Sequence, residues 1–231
     1  MLAVAAIALS ASPVARTAPV TLVRTSAPIE AFAHDAPVIG WISGSCRGVH
    51  LQNLLTSSRA TIGRASIAAC DPTVPPHLAV AGQRALWTQT PVGNFVYVNV
   101  MVGSLSSARS RRVEEIVEDT QEFAGFAVAG EGTTLAYSLR RVENVGPCPD
   151  PCPYVNSVNS GVGVRRVEGR NPVQVSGAST ALALASAFGR IALAPINTVP
   201  GERPIEPSNG IVELRLADSG ELLETIAPRV G

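Results

Sequence analysis

Few residues of this chain are equipped for chemistry, and they are scattered. The imidazoles are His34, His50 and His77, and the thiols are Cys46, Cys70, Cys148 and Cys152. A general base needs a partner within hydrogen-bond reach. The sequence implies none for the three histidines, so they are expected to be structural. No Gly-x-Ser-x-Gly elbow occurs, which leaves a serine hydrolase without support. Ser43-Gly44-Ser45-Cys46-Arg47-Gly48 is a glycine-rich turn, but it lacks the lysine and following helix of a phosphate loop. No catalytic residue and no cofactor are assigned.

The cysteines admit two readings. Cys148 and Cys152 are spaced Cys-x3-Cys between prolines, and two thiols so placed can close a small disulfide loop. The rival is a metal site with thiolate ligands, but no histidine follows at zinc-site spacing. The even count suits disulfides in an exported protein. Export is also the reading of Leu2-Ala3-Val4-Ala5-Ala6-Ile7-Ala8-Leu9-Ser10-Ala11, an apolar run like the core of a secretory signal and too short for a comfortable span. Residues 1–18 are assigned to this signal-like segment, and no membrane span is expected in the mature chain.

Charge excludes some partners. Lys+Arg and Asp+Glu each number 18, the net charge is zero and the pI is about 6.8. That offers no electrostatic footprint for nucleic acid. Every basic residue is arginine, which with the alanine richness fits a GC-rich genome better than a function. Arg-Arg-Val-Glu occurs at Arg111, Arg140 and Arg165. The three copies fall on different strands of the repeat described next, so they are expected to be solvated outer positions rather than one surface.

The elements that must position these residues repeat. A small-apolar strand, a short polar turn and a second strand ending in a large side chain occur four times, closing on Trp41, Trp87, Tyr137 and Leu193. The anchors lie roughly 46, 50 and 56 residues apart, in the window of propeller blades. Two more strand-like segments follow each anchor, as in Val49–Leu54 with Ala60–Ile62 after Trp41. Four strands per unit, here a to d from the inside outward, are the plan of a β-propeller blade. The a strands favour Ala and Gly because they crowd the channel. The a and b strands are apolar throughout because both faces of a blade are covered.

The chain resembles the TolB-like and WD40-like propellers of bacterial envelope proteins, in which a c–d turn often carries Asp, then Ser or Thr, then Gly. Asp218-Ser219-Gly220-Glu221 matches that turn, and the other three blades carry degenerate forms. The resemblance covers about Ala27 to Gly231 and concerns architecture only. In WD40-like repeats a histidine often buttresses the blade by hydrogen bonding, the role it implies for the histidines here.

The expected fold is all-β, a propeller over residues 19–231 with blades at about 27–66, 76–118, 121–175 and 180–227. A β-sandwich is the alternative. Val20–Arg24 suits the outer strand of a closing blade, yet the fourth blade already has its d strand at Leu222–Ile226. The ring is therefore expected to be incomplete and truncated at the C-terminal end, with Leu182, Leu184 and Ile191 exposed. Cys46 falls in a b–c connection and Cys70 between blades, on the same face, so Cys46 is expected to pair with Cys70 and Cys148 with Cys152. Insertions occupy the b–c connections of blades three and four, the second at Pro195–Asn209; such loops on a repeat scaffold are where binding is usually placed, neutral loop drift is the other reading, and no binding residue is assigned. The function read from this is a non-catalytic exported propeller, a binding or scaffolding module for a protein or glycan in the envelope or outside the cell. The alternative is the propeller of a larger enzyme such as a prolyl-oligopeptidase-like peptidase.

Overall fold

A computed structural model describes residues 21–44, 47–65, 76–89, 96–118, 127–144, 157–168, 171–175, 181–195 and 211–227. The signal-like segment and all four cysteines lie outside them. The described residues form strands and no helix, in four separate four-stranded antiparallel sheets. Blade one holds β1 (Ile29–Asp35), β2 (Val38–Ser43), β3 (Gly48–Asn53) and β4 (Arg59–Arg64). Blade two holds β5 (Leu78–Ala81), β6 (Arg84–Gln89), β7 (Val96–Ser104) and β8 (Arg109–Glu118). Blade three holds β9 (Ala127–Glu131), β10 (Thr134–Asn144), β11 (Ser157–Glu168) and β12 (Asn171–Gln174). Blade four holds β13 (Ala181–Ala187), β14 (Arg190–Pro195), β15 (Val212–Leu216) and β16 (Leu222–Ile226). Each sheet meanders from a to d in chain order, as the repeat predicts. The chain is a β-propeller.

Short hairpins set the register of each blade. In all four, two residues separate the a strand from the b strand, and the anchor follows three residues after the b strand begins. The two-residue turns of blades two and three open on Gly82 (φ 54°) and Gly132 (φ 57°), the left-handed conformation that the tightest hairpins require. Blade four makes its turn with Phe188 at φ 52° followed by Gly189.

Alternation along the b strands faces the blades onto one another. In β6, Ala85 and Trp87 join Val38, Ile42, Leu51 and Ile62 of blade one, whereas Leu86 joins Leu135 and Tyr137 of blade three. A strand buried on both sides must be apolar at every position, which explains the continuous runs. Blades three and four meet through Ala136, Val175, Ile191, Leu193 and Ala217. The inner strands come closest: a Cβ on Gly130 would lie 2.3 Å from the carbonyl oxygen of Val80. Only a residue without a side chain allows β9 that approach to β5.

The blades form an open arc. β1 lies against β5, β5 against β9 and β9 against β13, while no contact of like extent joins blade four to blade one among the described residues. Two expectations need correction. Thr21–Arg24 is irregular chain rather than a strand. Ile191 is fully buried and Leu184 packs beside it, because both face blade three. The exposed apolar residues of blade four are instead Leu222, Leu223 and Ile226 on its d strand, together with Phe188 in its turn. The side chain of Leu182 lies outside the described residues.

Candidate functional site

The two axial ends of the propeller differ in construction. At one end the a–b turns converge, tied by one carboxylate. Asp35, the last residue of β1, accepts at Oδ2 from the backbone N–H of Gly82 at 2.6 Å and of Gly132 at 2.7 Å. Blades one, two and three are thereby stitched at one point. Arg84, beside the second turn, donates to the carbonyl oxygen of Val167 at 3.4 Å. His34, expected from the sequence to be structural, directly precedes Asp35, which the sequence did not single out. The available signal was an acidic residue at the turn position where blades two and three carry glycine one place later.

Between the blades, the anchors of blades two and three reach the d strand of the blade before them. Trp87 Nε1 donates to the carbonyl oxygen of Arg64 at 3.0 Å, and Gln89 Nε2 donates to the same oxygen at 2.8 Å. A Cβ at Gly63 would lie 2.5 Å from Trp87 Cζ2, so the indole fills the space that this glycine leaves open. Tyr137 OH donates to Glu114 Oε2 at 2.6 Å, and Arg165 forms an ion pair with the other oxygen of Glu114. Burial and the neighbouring Glu114 carboxylate push the Tyr137 phenol well above its ordinary range. This corrects the reading of Arg-Arg-Val-Glu as solvated. The Glu of the first copy and an Arg of the third meet across blades two and three, half-buried.

The histidines brace blade one or border blade two. His50 stacks on Trp41 with ring centroids 5.1 Å apart and planes at 23°, and its Nδ1 lies 2.9 Å from Thr61 Oγ1. Burial first, and then the Arg59 guanidinium, lower its pKa. The Arg59 guanidinium lies over the same Trp41 ring, 4.7 Å from its centroid. Burial also lowers the pKa of His77, whose backbone N–H donates to Thr88 Oγ1 at 3.0 Å. His34 is exposed beside Phe32, with centroids 6.4 Å apart. No two of these imidazoles meet in one hydrogen-bonded group.

At the opposite end, strands outgrow their blades. β10 pairs with β9 only as far as Ser138, but with β11 from Ala136↔Arg166 to Asn144↔Ser157. β12 in turn covers β11 only from Arg165 onward. The pairing of Leu139–Asn144 with Ser157–Gly163 is therefore a two-stranded ribbon standing clear of its own a and d strands. It carries the b–c insertion of blade three, whose residues 145–156 lie outside the described residues, as do 196–210 of the corresponding insertion in blade four.

Among the described residues, no group of three or more His, Cys, Asp or Glu is placed to hold a metal ion. No helix among them is long and apolar enough to cross a membrane.

No protein-family model and no curated protein matches the chain. Solved structures are similar at low identity. TolB from Acinetobacter baumannii is 14% identical with a TM-score of 0.45, over 87% of this chain and 44% of that one. A nidogen/laminin complex is 13% identical with a TM-score of 0.31, over 87% of this chain and 81% of that one. A prolyl endopeptidase is 12% identical with a TM-score of 0.33, over 87% of this chain and 34% of that one. This chain thus spans less than half the length of the TolB structure.

Proposed function

We propose that this chain is an exported, non-catalytic propeller that binds a protein or a glycan at the end carrying the b–c connections. The observation behind this is the ribbon of blade three. Strands that run on past their own blade present a connection away from the scaffold, and connections on one face of a repeat array are where binding is placed. Two carboxylates elsewhere are engaged in holding blades together: Asp35 with two turns, and Glu114 with Tyr137 and Arg165. Export rests on the apolar run Leu2–Ala11 and the even cysteine count.

The test is to trim the ribbon. Val142 and Asn159 face each other across it. Joining them through an Asn-Gly turn removes the tip while leaving the blade proper intact. Binding to an envelope-glycan array and to proteins cross-linked from an envelope extract is then compared with the parent. The trimmed chain should lose the ligands that map to the ribbon and unfold at an unchanged temperature. Undiminished binding, or cross-links that map to the a–b turns, would show that the site lies elsewhere.

A further inference from the structure

The a–b end of the propeller is a stitched platform, and two large apolar side chains stand out of it. Because the strands alternate in direction, the c–d turns share this end. In three blades the c–d turn is hydrogen-bonded to the a–b turn beside it. The N–H of Leu54 donates to the carbonyl oxygen of Pro37, that of Leu105 to Gln83 and that of Ala217 to Gly189, at 2.9, 2.8 and 2.9 Å. Asp35 ties the a–b turns of blades one, two and three to one another.

Among the described residues, the two most exposed large apolar side chains are at the tips of these turns. Phe188 is 92% exposed and Leu55 82%, and no other exceeds 50%. Phe188 takes the turn position that blades two and three give to Gly82 and Gly132, and holds φ 52° there, which an aromatic residue rarely adopts. Leu55 is fixed by the Asn53 carboxamide, whose Oδ1 accepts from the N–H of Leu55 at 2.9 Å and of Thr56 at 3.2 Å. An exposed arginine stands at the foot of each tip. Arg59 opens β4 four residues after Leu55, and Arg190 opens β14 two residues after Phe188. Arg84 and Arg109 open β6 and β8 at the same end. The carboxylates there are Asp35, engaged by two amides, with Glu131, Glu168, Asp218 and Glu221. The signs are mixed, so the apolar tips must supply most of any affinity.

We propose that this end docks on a phospholipid surface, with Phe188 and Leu55 entering the acyl boundary and Arg59 and Arg190 meeting the phosphate layer. A protein partner would need two separate pockets, since the tips stand on different blades. Thr56, Ser57 and Ser58 follow Leu55, and Gly189 follows Phe188, so neither tip extends into a wider apolar patch along the chain. A bilayer needs only that both tips reach its interface, and long cationic side chains beside an apolar anchor suit that layer. The contact is peripheral and leaves the b–c connections pointing away from the lipid. The face is the same whether or not further blades complete the ring.

The test uses the whole chain with sedimented vesicles of phosphatidylethanolamine and phosphatidylglycerol. The parent should bind. Leu55→Ser with Phe188→Gly should lower the partition coefficient at least about thirtyfold, since two anchoring side chains are lost. Phe188→Gly relieves a left-handed backbone, so this variant should melt no lower than the parent, and lost binding is then not lost fold. As a second measurement, the emission of Phe188→Trp should shift to shorter wavelength on vesicles and be quenched by brominated acyl chains. Trp41 and Trp87 are fully buried and form a constant background. Trimming the ribbon of blade three should leave vesicle binding unchanged, which separates this contact from the ligand site at the other end. A chain that stays in solution with these vesicles, binding indifferent to the double substitution, or an indole at position 188 that brominated lipid fails to quench would overturn the proposal. So would vesicle binding that disappears with the ribbon.

Discussion

The Asp35 carboxylate accepts a 2.7 Å hydrogen bond from the backbone N–H of Gly132, 97 residues further along the chain. The same oxygen accepts from Gly82 at 2.6 Å, so one side chain at the end of β1 fixes the inner turns of two other blades. Hydrogen bonds to a charged acceptor contribute about 1.5–3 kcal/mol each. Asp35→Ala should therefore lower the unfolding free energy by about 3–6 kcal/mol. Asp35→Asn keeps a neutral acceptor and should cost about half as much. Urea denaturation read by circular dichroism checks both. Equal stability of all three chains would show that the turns hold themselves.

Tyr137 should make the protein sensitive to alkali. Its pKa is raised in the folded state, first by burial and then by Glu114. A raised folded pKa means that the native state holds the proton more tightly. The stability it contributes is complete below the unfolded phenol pKa of 10.0 and is lost as pH climbs above that value. The melting temperature of the parent should fall above pH 10, and that of Tyr137→Phe should fall less. At neutral pH the same variant should be less stable by about 1–2 kcal/mol, since Glu114 loses a donor while partly buried. Parallel melting curves across the alkaline range would refute the assignment.

Two neighbouring glycines should respond differently to an added methyl. At Gly130 a Cβ would meet the backbone of Val80 at 2.3 Å, and backbone on both sides cannot yield cheaply. At Gly132 the surrounding space is open, but φ is 57°. Gly132→Ala should cost about 1–2 kcal/mol, the penalty of a left-handed alanine. Gly130→Ala should cost about 3 kcal/mol or more and lower yield, as overpacking against a rigid wall does. Thermal unfolding of the purified variants ranks them, and the reverse order would mean that β5 and β9 can separate freely.

The blades were legible because each obeys a local rule. A two-residue turn sets the a–b register, and burial on both faces keeps both strands apolar, so the pattern recurs in the sequence at Trp41, Trp87, Tyr137 and Leu193. The clamps were not legible, since Glu114 meets Arg165 and Asp35 meets Gly132 only after separate blades are laid side by side. Nothing in Arg-Arg-Val-Glu distinguishes a glutamate that turns inward from one that faces water. The exposed side of blade four was misjudged for a related reason. Alternation shows that Ile191 and Ala192 face opposite ways, but which side meets blade three depends on the direction in which the blades stack.

His50 should make blade one sensitive to acid. Its pKa is lowered, mainly by burial and then by Arg59, so the native state prefers the neutral ring. His77 is shifted the same way by burial. A lowered folded pKa contributes stability that is complete above the unfolded value of 6.5 and is lost as pH falls through the folded one. Stability should therefore decline on acidification from pH 6.5. The carboxylates titrate lower, so the first part of this decline belongs to the histidines. A cation at His50 would also place a second positive charge beside Arg59 over the Trp41 ring, weakening the stack that keeps the indole in place. His50→Gln removes one titrating group and should flatten the decline, and His50→Gln with His77→Gln should flatten it further. Trp41 fluorescence, isolated by Trp87→Phe, should change over the same range in the parent and not in His50→Gln. An acid decline of equal steepness in all of these chains would place the sensitive group elsewhere.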